Sequence, residues 1–328
     1  MLEAPRPRRL LGLDLGGTNI KTAVVEVDTA GAGPRVVHMQ SGPTEADMGP
    51  DHVAARLVRM GLETIEQAGP VESAGVGVPG LFDYGTGEIV FFTNLPGPWE
   101  GYPLRTRLAE GVDTAVTLIN DARAFTLAEA TVGAGRGCRT LACLTLGTGV
   151  GGGLMIEGRL HFGAFGLAGE IGHQTIVPDG PVCGCGSPGC LEAITRPPVV
   201  AKAAGRDTFE DVLAGLDEGD PACVAAVDAA VGHLAIGIAN IFTVIGPEMV
   251  VIGGGVAGAG DLLLEPLRDA VRARLTLIPP EGVRIVASEL GPMAGAVGAA
   301  LASQGSLVGD ADFLVGEIPS ATIRRAQT

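Results

Sequence analysis

Two glycine-rich segments, each placed between strand-like runs, constrain the fold of this chain most strongly. Residues 10–27 read as strand, turn and strand, with Gly-Gly-Thr-Asn at the turn in residues 16–19. The same order recurs about 130 residues later, where residues 141–146 lead into the glycine-rich residues 147–153 and a predicted strand at residues 154–156. A strand–turn–strand unit that recurs in one chain indicates an internal duplication.

Neither turn has the pattern of a common nucleotide-binding loop. The first lacks the Gly-Lys-Ser/Thr ending of a P-loop, and no helix follows either turn as a Rossmann motif requires. A glycine hairpin can nevertheless present successive N–H groups to phosphate oxygens, with Asp14 placed for magnesium and Thr18 for a phosphate. An ordinary tight hairpin is the alternative. Residues 253–260 do precede a predicted helix, which leaves a dinucleotide site as a further alternative, although no acidic ribose ligand follows at the right distance.

One histidine and three cysteines lie within eighteen residues, with the spacing His-x9-Cys-x-Cys-x4-Cys. They are His173, Cys183, Cys185 and Cys190. A Cys3His set is a standard closed, structural zinc site. A Cys185–Cys190 disulfide or inert thiols are the alternatives, but neither accounts for the histidine or for the glycines between the cysteines. We therefore predict a structural Zn2+ site.

Two glutamates flank this cluster, Glu170 before His173 and Glu192 after Cys190. A loop fixed by a metal would hold both carboxylates, and one face of the histidine, in place. Rigid carboxylates suit a polyhydroxyl ligand, which needs paired hydrogen bonds. Solvated loop residues are the alternative for both glutamates.

Composition limits the partners of this protein. The 328 residues suffice for two domains, and the net charge of −15 opposes binding to nucleic acid or anionic lipid. Residues 221–245 are apolar enough to suggest a membrane span, but Asp228, His233 and Asn240 interrupt them, which favours a buried helix. No signal peptide is recognised in residues 1–9, so we expect a cytoplasmic protein with reduced thiols. The tail after Ser303 is expected to be partly disordered.

The strand predicted at residues 115–119 places Asn120 and Asp121 at its carboxyl end, before a helix that begins at Ala122. An aspartate at such a junction can be the N-cap of the helix. It can equally be a general base held by a rigid strand. The residues themselves leave both roles open.

Five segments together resemble the ROK (repressor, ORF, kinase) family of sugar kinases, and most of all its bacterial zinc-containing glucokinases. The likeness runs in order from about residue 10 to residue 302. The segments are Asp14-Leu15-Gly16-Gly17-Thr18, Asn120-Asp121-Ala122, residues 144–153, Glu170-Ile171-Gly172-His173 and the cysteine-rich residues 183–192. Each motif alone has low specificity, whereas five in register are highly specific.

The resemblance implies an α/β, actin/hexokinase-like (ribonuclease H-like) duplicated two-domain fold with a central cleft. It implies a smaller N-terminal domain over residues 1–120, on which a helix at residues 291–302 packs back. The larger domain would span residues 121–290 and contain the zinc loop of residues 173–190. Homodimers or homotetramers are expected, because family members commonly form them.

The implied activity is ATP-dependent phosphorylation of a hexose, glucose above all, at its 6-hydroxyl, with Mg2+ accompanying ATP. Asp121 would be the base that takes the hydroxyl proton. The sugar would be held by Asn94, Asn120, Glu170, His173 and Glu192. The nucleotide would be held by Asp14, Gly16, Gly17, Thr18, Asn19, Lys21, Gly147, Thr148 and Gly149, with Gly254 and Gly255 against the adenosine.

Two departures from the family pattern lie beside the implied sugar site. The family usually has Glu-Asn-Asp-Ala-Asn where this chain has Ile119 and Arg123 at the two ends, and Pro98 is an extra residue before Trp99. N-acetylmannosamine, fructose, allose or a sugar-like cyclitol therefore remain alternative substrates, and polyphosphate an alternative donor. A sugar-responsive repressor is a less favoured class, because such proteins carry a winged-helix domain before the first glycine motif. A non-catalytic, zinc-containing sugar-binding protein is the third class, and the presence of Asp121 argues against it.

Overall fold

The computed structural model describes residues 7–27, 33–92, 94–164 and 166–305. Most of the tail expected to be partly disordered lies outside the described residues. The described strands are β1 (Arg8–Leu15), β2 (Asn19–Val27), β3 (Pro34–Pro43), β4 (Ser73–Val78), β5 (Gly80–Phe82), β6 (Ile89–Phe92), β7 (Val116–Asn120), β8 (Leu141–Leu146), β9 (Val150–Ile156), β10 (Arg159–Leu160), β11 (Met249–Gly253) and β12 (Ile285–Ala287). The described α-helices are α1 (Pro50–Ala68), α2 (Leu104–Val112), α3 (Asp121–Thr131), α4 (Leu191–Thr195), α5 (Pro197–Ala203), α6 (Phe209–Asp217), α7 (Pro221–Val244), α8 (Asp261–Arg272) and α9 (Ala294–Ala302).

The described residues form two compact units. The first contains the chain up to Arg136, residues 159–166 and the residues from Pro292 onward, and the second contains residues 137–158 and 167–291. Helix α3 therefore clusters with the first unit. The domain division expected at residues 120 and 290 differs from these units and stays a prediction.

The first unit is built on a five-stranded sheet in the order β3-β2-β1-β4-β7. Strands β1 and β2 form the predicted antiparallel hairpin, and β1, β4 and β7 are parallel. Every residue of β1 from Leu10 onward is buried, as expected for a strand covered on both faces. Because the three parallel strands share one direction, Asp14 of β1 and Asn120 of β7 lie at the same edge of this sheet.

Helix α9 packs directly on the first sheet, and glycines make this approach possible. A Cβ on Gly12 of β1 would overlap the carbonyl oxygen of Ala296, and a Cβ on Gly75 of β4 would overlap that of Ala299. A Cβ on Gly298 would likewise overlap the backbone of α3. The small-residue helix thus fixes the strands β1 and β4 and the helix α3 against one another.

The second unit repeats this arrangement. Four of its strands lie in the order β9-β8-β11-β12, with β8 antiparallel to β9 and parallel to β11, and β11 parallel to β12. This is the order β2-β1-β4-β7 of the first unit, so the duplication indicated by the sequence is present in the topology. The strand predicted at residues 154–156 in fact begins at Val150, because Gly151, Gly152 and Gly153 pair with Thr145, Leu144 and Cys143.

Helix α7 forms much of the core of the second unit. Among the described helices it is the one long and apolar enough to cross a membrane, and 56% of its most apolar stretch is buried inside the protein. Leu234, Ala235 and Ile238 are at most 2% exposed. The helix packs against α4, α5, α6 and α8. Its apolar composition therefore supplies a core, as the sequence predicts for a buried helix.

Candidate active site

Asp14 lies at the carboxyl end of β1 with only 8% of its surface exposed. Its Oδ2 is 3.3 Å from Nζ of Lys21 on β2. Burial raises the pKa of Asp14, and the charge and hydrogen bond of Lys21 oppose that rise. A Cβ on Gly295 of α9 would lie 2.7 Å from this carboxylate, so only glycine fits there. Sequence reasoning missed Gly295; the available signal was the small-residue pattern of residues 291–302.

The first glycine turn is closed by its own backbone. The amide of Gly16 donates to the carbonyl of Asn19 at 3.1 Å, and the Thr44 hydroxyl donates to the carbonyl of Gly16 at 2.6 Å. A Cβ on Gly17 would lie 3.0 Å from the backbone oxygen of Asn94, so the loop that bears Asn94 packs on this turn. Thr18 and Asn19 are exposed at its tip. The structure therefore brings Asn94 next to the predicted phosphate turn.

Asn120 and Asp121 lie where β7 passes into α3. Asn120 is the N-cap of this helix, because its side-chain oxygen accepts from the amides of Ala122 (3.1 Å) and Arg123 (3.3 Å). Asp121 is the first helical residue, and its Oδ1 accepts from the amide of Ala122 at 2.7 Å. The capping role that the sequence left open for Asp121 thus falls to Asn120.

Arg123, which belongs to the first departure from the family pattern, is buried within the first unit. Its guanidinium donates to the hydroxyl of Tyr84 at 3.2 Å and to the carbonyl oxygen of Gly166. It also lies over the ring of Phe162, 5.3 Å from the centroid. These contacts tie the helix that begins at Asp121 to residues 159–166 of the same unit.

The second glycine turn joins β8 to β9. Gly147 donates its amide to the carbonyl of Gly149 at 2.9 Å, and a Cβ on Gly147 would meet no atom within 4 Å. Thr148 is exposed at the tip. Gly254, with a φ of +86°, follows the neighbouring strand β11, and a Cβ there would overlap the carbonyl oxygen of Leu146. The second turn and the Gly254 segment, with Gly255 after it, therefore lie side by side.

The later glycines of this motif have a packing role. A Cβ on Gly152 would lie 2.6 Å from the carbonyl oxygen of Gly169, and a Cβ on Gly172 would overlap that of Val150. The short helical turn Ile171–His173 consequently rests on β9. This contact fixes the backbone around the half-buried residues Glu170 and His173.

The predicted metal ligands come together in the second unit. The chain after His173 doubles back, so that Thr175 pairs with Cys190 and the amide of Leu191 donates to the carbonyl of Gln174 at 3.0 Å. The four ligand atoms of His173, Cys183, Cys185 and Cys190 lie within 4.8 Å of one another.

Two separations between these ligand atoms match those around a tetrahedral ion. Nδ1 of His173 is 3.6 Å from Sγ of Cys183, and Sγ of Cys185 is 3.7 Å from Sγ of Cys190. Bonds of about 2.0–2.3 Å at tetrahedral angles require ligand separations of roughly 3.5–3.8 Å. Burial raises the pKa of the Cys183 thiol to about 12. A bound cation would favour its thiolate. The residues present therefore fit Zn2+.

Glu192, on α4 immediately after the cysteines, faces the second glycine turn. Its Oε2 accepts from the backbone amide of Val150 at 2.9 Å, and a Cβ on Gly149 would overlap the same oxygen. Its Oε1 lies 3.5 Å from Sγ of Cys183. The contact with the second turn was not foreseen from the sequence, because no spacing along the chain indicates it.

Each unit thus combines a glycine hairpin with parallel strands whose carboxyl ends lead into polar or glycine-rich segments. Together with the repeated strand order, this defines a mixed α/β protein of the actin/hexokinase-like class. The chain belongs to the ROK family, whose family model matches residues 10–305. The family indicated by the sequence motifs is thereby confirmed.

Relatives and solved structures agree with this assignment. The chain is 35% identical to a glucokinase of Thermotoga maritima. The match covers 89% of this chain and 96% of the glucokinase. It is similar to the crystal structure of a ROK hexokinase from Thermus thermophilus, with a TM-score of 0.80, 35% identity, and coverage of 90% of this chain and 98% of the other. A ROK family glucokinase from Streptomyces griseus, solved with glucose and AMPPNP, superposes with a TM-score of 0.76 at 29% identity over 91% and 100% of the two chains.

Proposed function

We propose that this protein is an ATP-dependent sugar kinase that transfers the γ-phosphoryl group of ATP to the 6-hydroxyl of glucose. Glucokinases similar over nearly the whole chain support the activity, as does the similar structure that contains glucose and AMPPNP. The roles given below to individual residues are part of the proposal.

The catalytic assignment rests on one observation: Asn120 is the N-cap of α3, and Asp121 is the first residue of the helix. Asn120 already caps α3 by accepting from two backbone amides. Asp121 shares only the amide of Ala122 with this cap, so the bond from the Arg123 amide does not depend on it. A half-buried carboxylate at the end of a strand of the central sheet is well placed to serve as a general base.

The nucleotide is assigned to the glycine turns. Gly17, Thr18 and Asn19 of the first turn, and Thr148 and Gly149 of the second, would offer backbone amides to phosphate oxygens. Gly16 and Gly147 would shape the two turns, because their own amides donate within them. The neighbouring Gly254 and Gly255 leave a surface without side chains for the adenosine. Asp14 would hold Mg2+, a hard cation that prefers carboxylate oxygen, and Lys21 would lie beside the phosphates. When bound, Mg2+ neutralises charge that develops on the phosphate oxygens.

The family resemblance assigns the sugar to Asn94, Asn120, Glu170, His173 and Glu192. Nδ1 of His173 is the ring nitrogen beside Cys183, which leaves Nε2 to donate to a hydroxyl. Structural Zn2+ held by His173, Cys183, Cys185 and Cys190 would fix this ring. A closed set of four protein ligands has no open position for a catalytic water.

The proposed reaction needs one proton acceptor. As the sugar oxygen attacks the γ-phosphorus in line, its proton passes to the Asp121 carboxylate and the bond from phosphorus to the β,γ-bridging oxygen breaks. The products are ADP and the sugar 6-phosphate. Little covalent chemistry falls to the protein, because phosphoryl transfer depends mainly on positioning and on charge stabilisation.

A coupled assay of ADP release tests this function across a panel of hexoses, N-acetylhexosamines and cyclitols, with ATP or polyphosphate as donor. The proposal predicts the highest kcat/KM with glucose and ATP. Equal or higher values with N-acetylmannosamine or a cyclitol would reassign the substrate, and no turnover with any acceptor would contradict the kinase. A cytoplasmic location and a homodimer or homotetramer remain predictions.

A further inference from the structure

The carboxylate of Glu192 joins two loops of the second unit. One oxygen accepts from the amide of Val150, the residue at which the second glycine turn becomes β9. The turn also passes close to this oxygen, because a Cβ on Gly149 would overlap it. The carboxylate therefore bonds to the end of the turn and lies against Gly149.

The other side of this connection is the metal-ligand loop. Glu192 is the second residue after Cys190, and the intervening Leu191 is fully buried. The amide of Leu191 donates to the carbonyl of Gln174, next to His173. Sγ of Cys183 lies 3.5 Å from the second carboxylate oxygen. The position of Glu192 is thus determined by residues on both sides of the metal-ligand cluster.

We infer that Glu192 is a positioning residue for the nucleotide: it holds the Gly147–Gly149 turn in its phosphate-binding shape and couples that shape to the metal-ligand loop. The inference rests on the proposed function, since it takes this turn to bind ATP. Glu192 is also proposed to contact the sugar. Its positioning of the turn is a separate role, which does not require sugar to be bound.

The direction in which nucleotide affinity changes when Glu192 is replaced tests the inference. A carboxylate near a phosphate site repels the phosphate, so removing its charge should strengthen nucleotide binding if Glu192 does not position the turn. If Glu192 does position the turn, losing the acceptor for the Val150 amide should weaken binding. Hydrogen bonds to charged groups are among the stronger ones, and an effect of about tenfold or more is expected.

The test is calorimetric titration with AMPPNP and Mg2+ in the absence of sugar. Glu192→Met keeps the length of the side chain but offers no acceptor, whereas Glu192→Gln keeps an acceptor without the charge. Glu210→Ala, at an exposed glutamate of α6, is the matched control. We expect Kd to rise about tenfold for Glu192→Met, to stay within about threefold for Glu192→Gln, and to be unchanged for Glu210→Ala.

Two further readouts separate positioning from misfolding and from metal loss. Hydrogen exchange at the Val150 amide should be faster in Glu192→Met and near wild type in Glu192→Gln, at equal zinc content. Wild-type protein stripped of zinc by a chelator should show the same weakening of AMPPNP binding. Should Glu192→Met not fold, Glu192→Asp, whose shorter carboxylate cannot reach Val150, should show the same loss.

If Glu192→Met and Glu192→Asp bind AMPPNP as tightly as wild type, or more tightly, the inference is wrong. The proposed kinase activity would be unaffected by that result. Unchanged AMPPNP affinity in zinc-stripped wild type would overturn the coupling to the metal-ligand loop. A wild-type protein that binds no AMPPNP would overturn the proposed function itself.

Discussion

Gly295 of α9 lies against the carboxylate of Asp14 on β1, so closely that a Cβ on the glycine would be 2.7 Å from the nearest carboxylate atoms. The contact explains why residue 295 of this small-residue helix is glycine. It also buries an ionisable group, with Lys21 at 3.3 Å as its ion-pair partner. Such burial lowers stability, which is acceptable where the group has a function.

Asp14→Asn is expected to raise the melting temperature at pH 7.5 and to lower kcat/KM by about 10²-fold or more, as loss of a proposed magnesium ligand would. Burial raises the folded-state pKa of Asp14 above its unfolded value of 3.8. A raised pKa means that the folded wild type is destabilised above the folded pKa and regains stability as the pH falls through it. The stability gain of Asp14→Asn should therefore shrink between pH 7.5 and pH 4. Melting curves across this range check it, and a variant less stable than wild type at pH 7.5 would contradict it.

One equivalent of zinc per chain is expected by elemental analysis. Cys185→Ser should reduce it to well below half an equivalent and lower the melting temperature, because the energy of a closed site contributes to folding. Cys138→Ser is the matched control, since Cys138 lies outside the cluster. A wild-type protein with less than half an equivalent and full activity would refute the site.

Gly147→Val should raise the KM for ATP far more than the KM for sugar, because the added side chain would occupy the proposed phosphate site. The chain itself leaves open space at Gly147, so folding should be unaffected. Steady-state kinetics with each substrate varied in turn, together with a melting curve, measure this. Equal increases in both KM values would argue against a phosphate role for the turn.

The sequence predicted the repeated hairpins and the metal-ligand cluster because both depend on local pattern. Alternating or continuous apolar runs indicate strands. The four ligands of the cluster lie within residues 173–190. Contacts between distant segments could not be predicted in this way. Gly152 and Gly172 read as part of phosphate-type and sugar-type motifs, whereas the structure shows that they allow two backbones to touch.

The N-cap of α3 is a second feature that could not be predicted from the sequence. Asn120 and Asp121 are adjacent, and asparagine and aspartate are nearly equivalent N-caps, so no rule of propensity chooses between them. The amide of Ala122 donates to both side chains, and it is the bond from the Arg123 amide that assigns the cap to Asn120. The role of Asp121 as base is a prediction from the family resemblance.

The most direct measurement of the central claim is the steady-state kinetics of Asp121→Asn with glucose and ATP. Asparagine is nearly isosteric and can still bond to the sugar hydroxyl, but it cannot take the proton. Because Asn120 caps the helix, the melting curve should match that of the wild type. If Asp121 is the base, kcat should fall by about 10²–10⁴-fold while the KM for glucose changes little. A variant that retains near-wild-type kcat would contradict this role, and the proton acceptor would then have to be another residue.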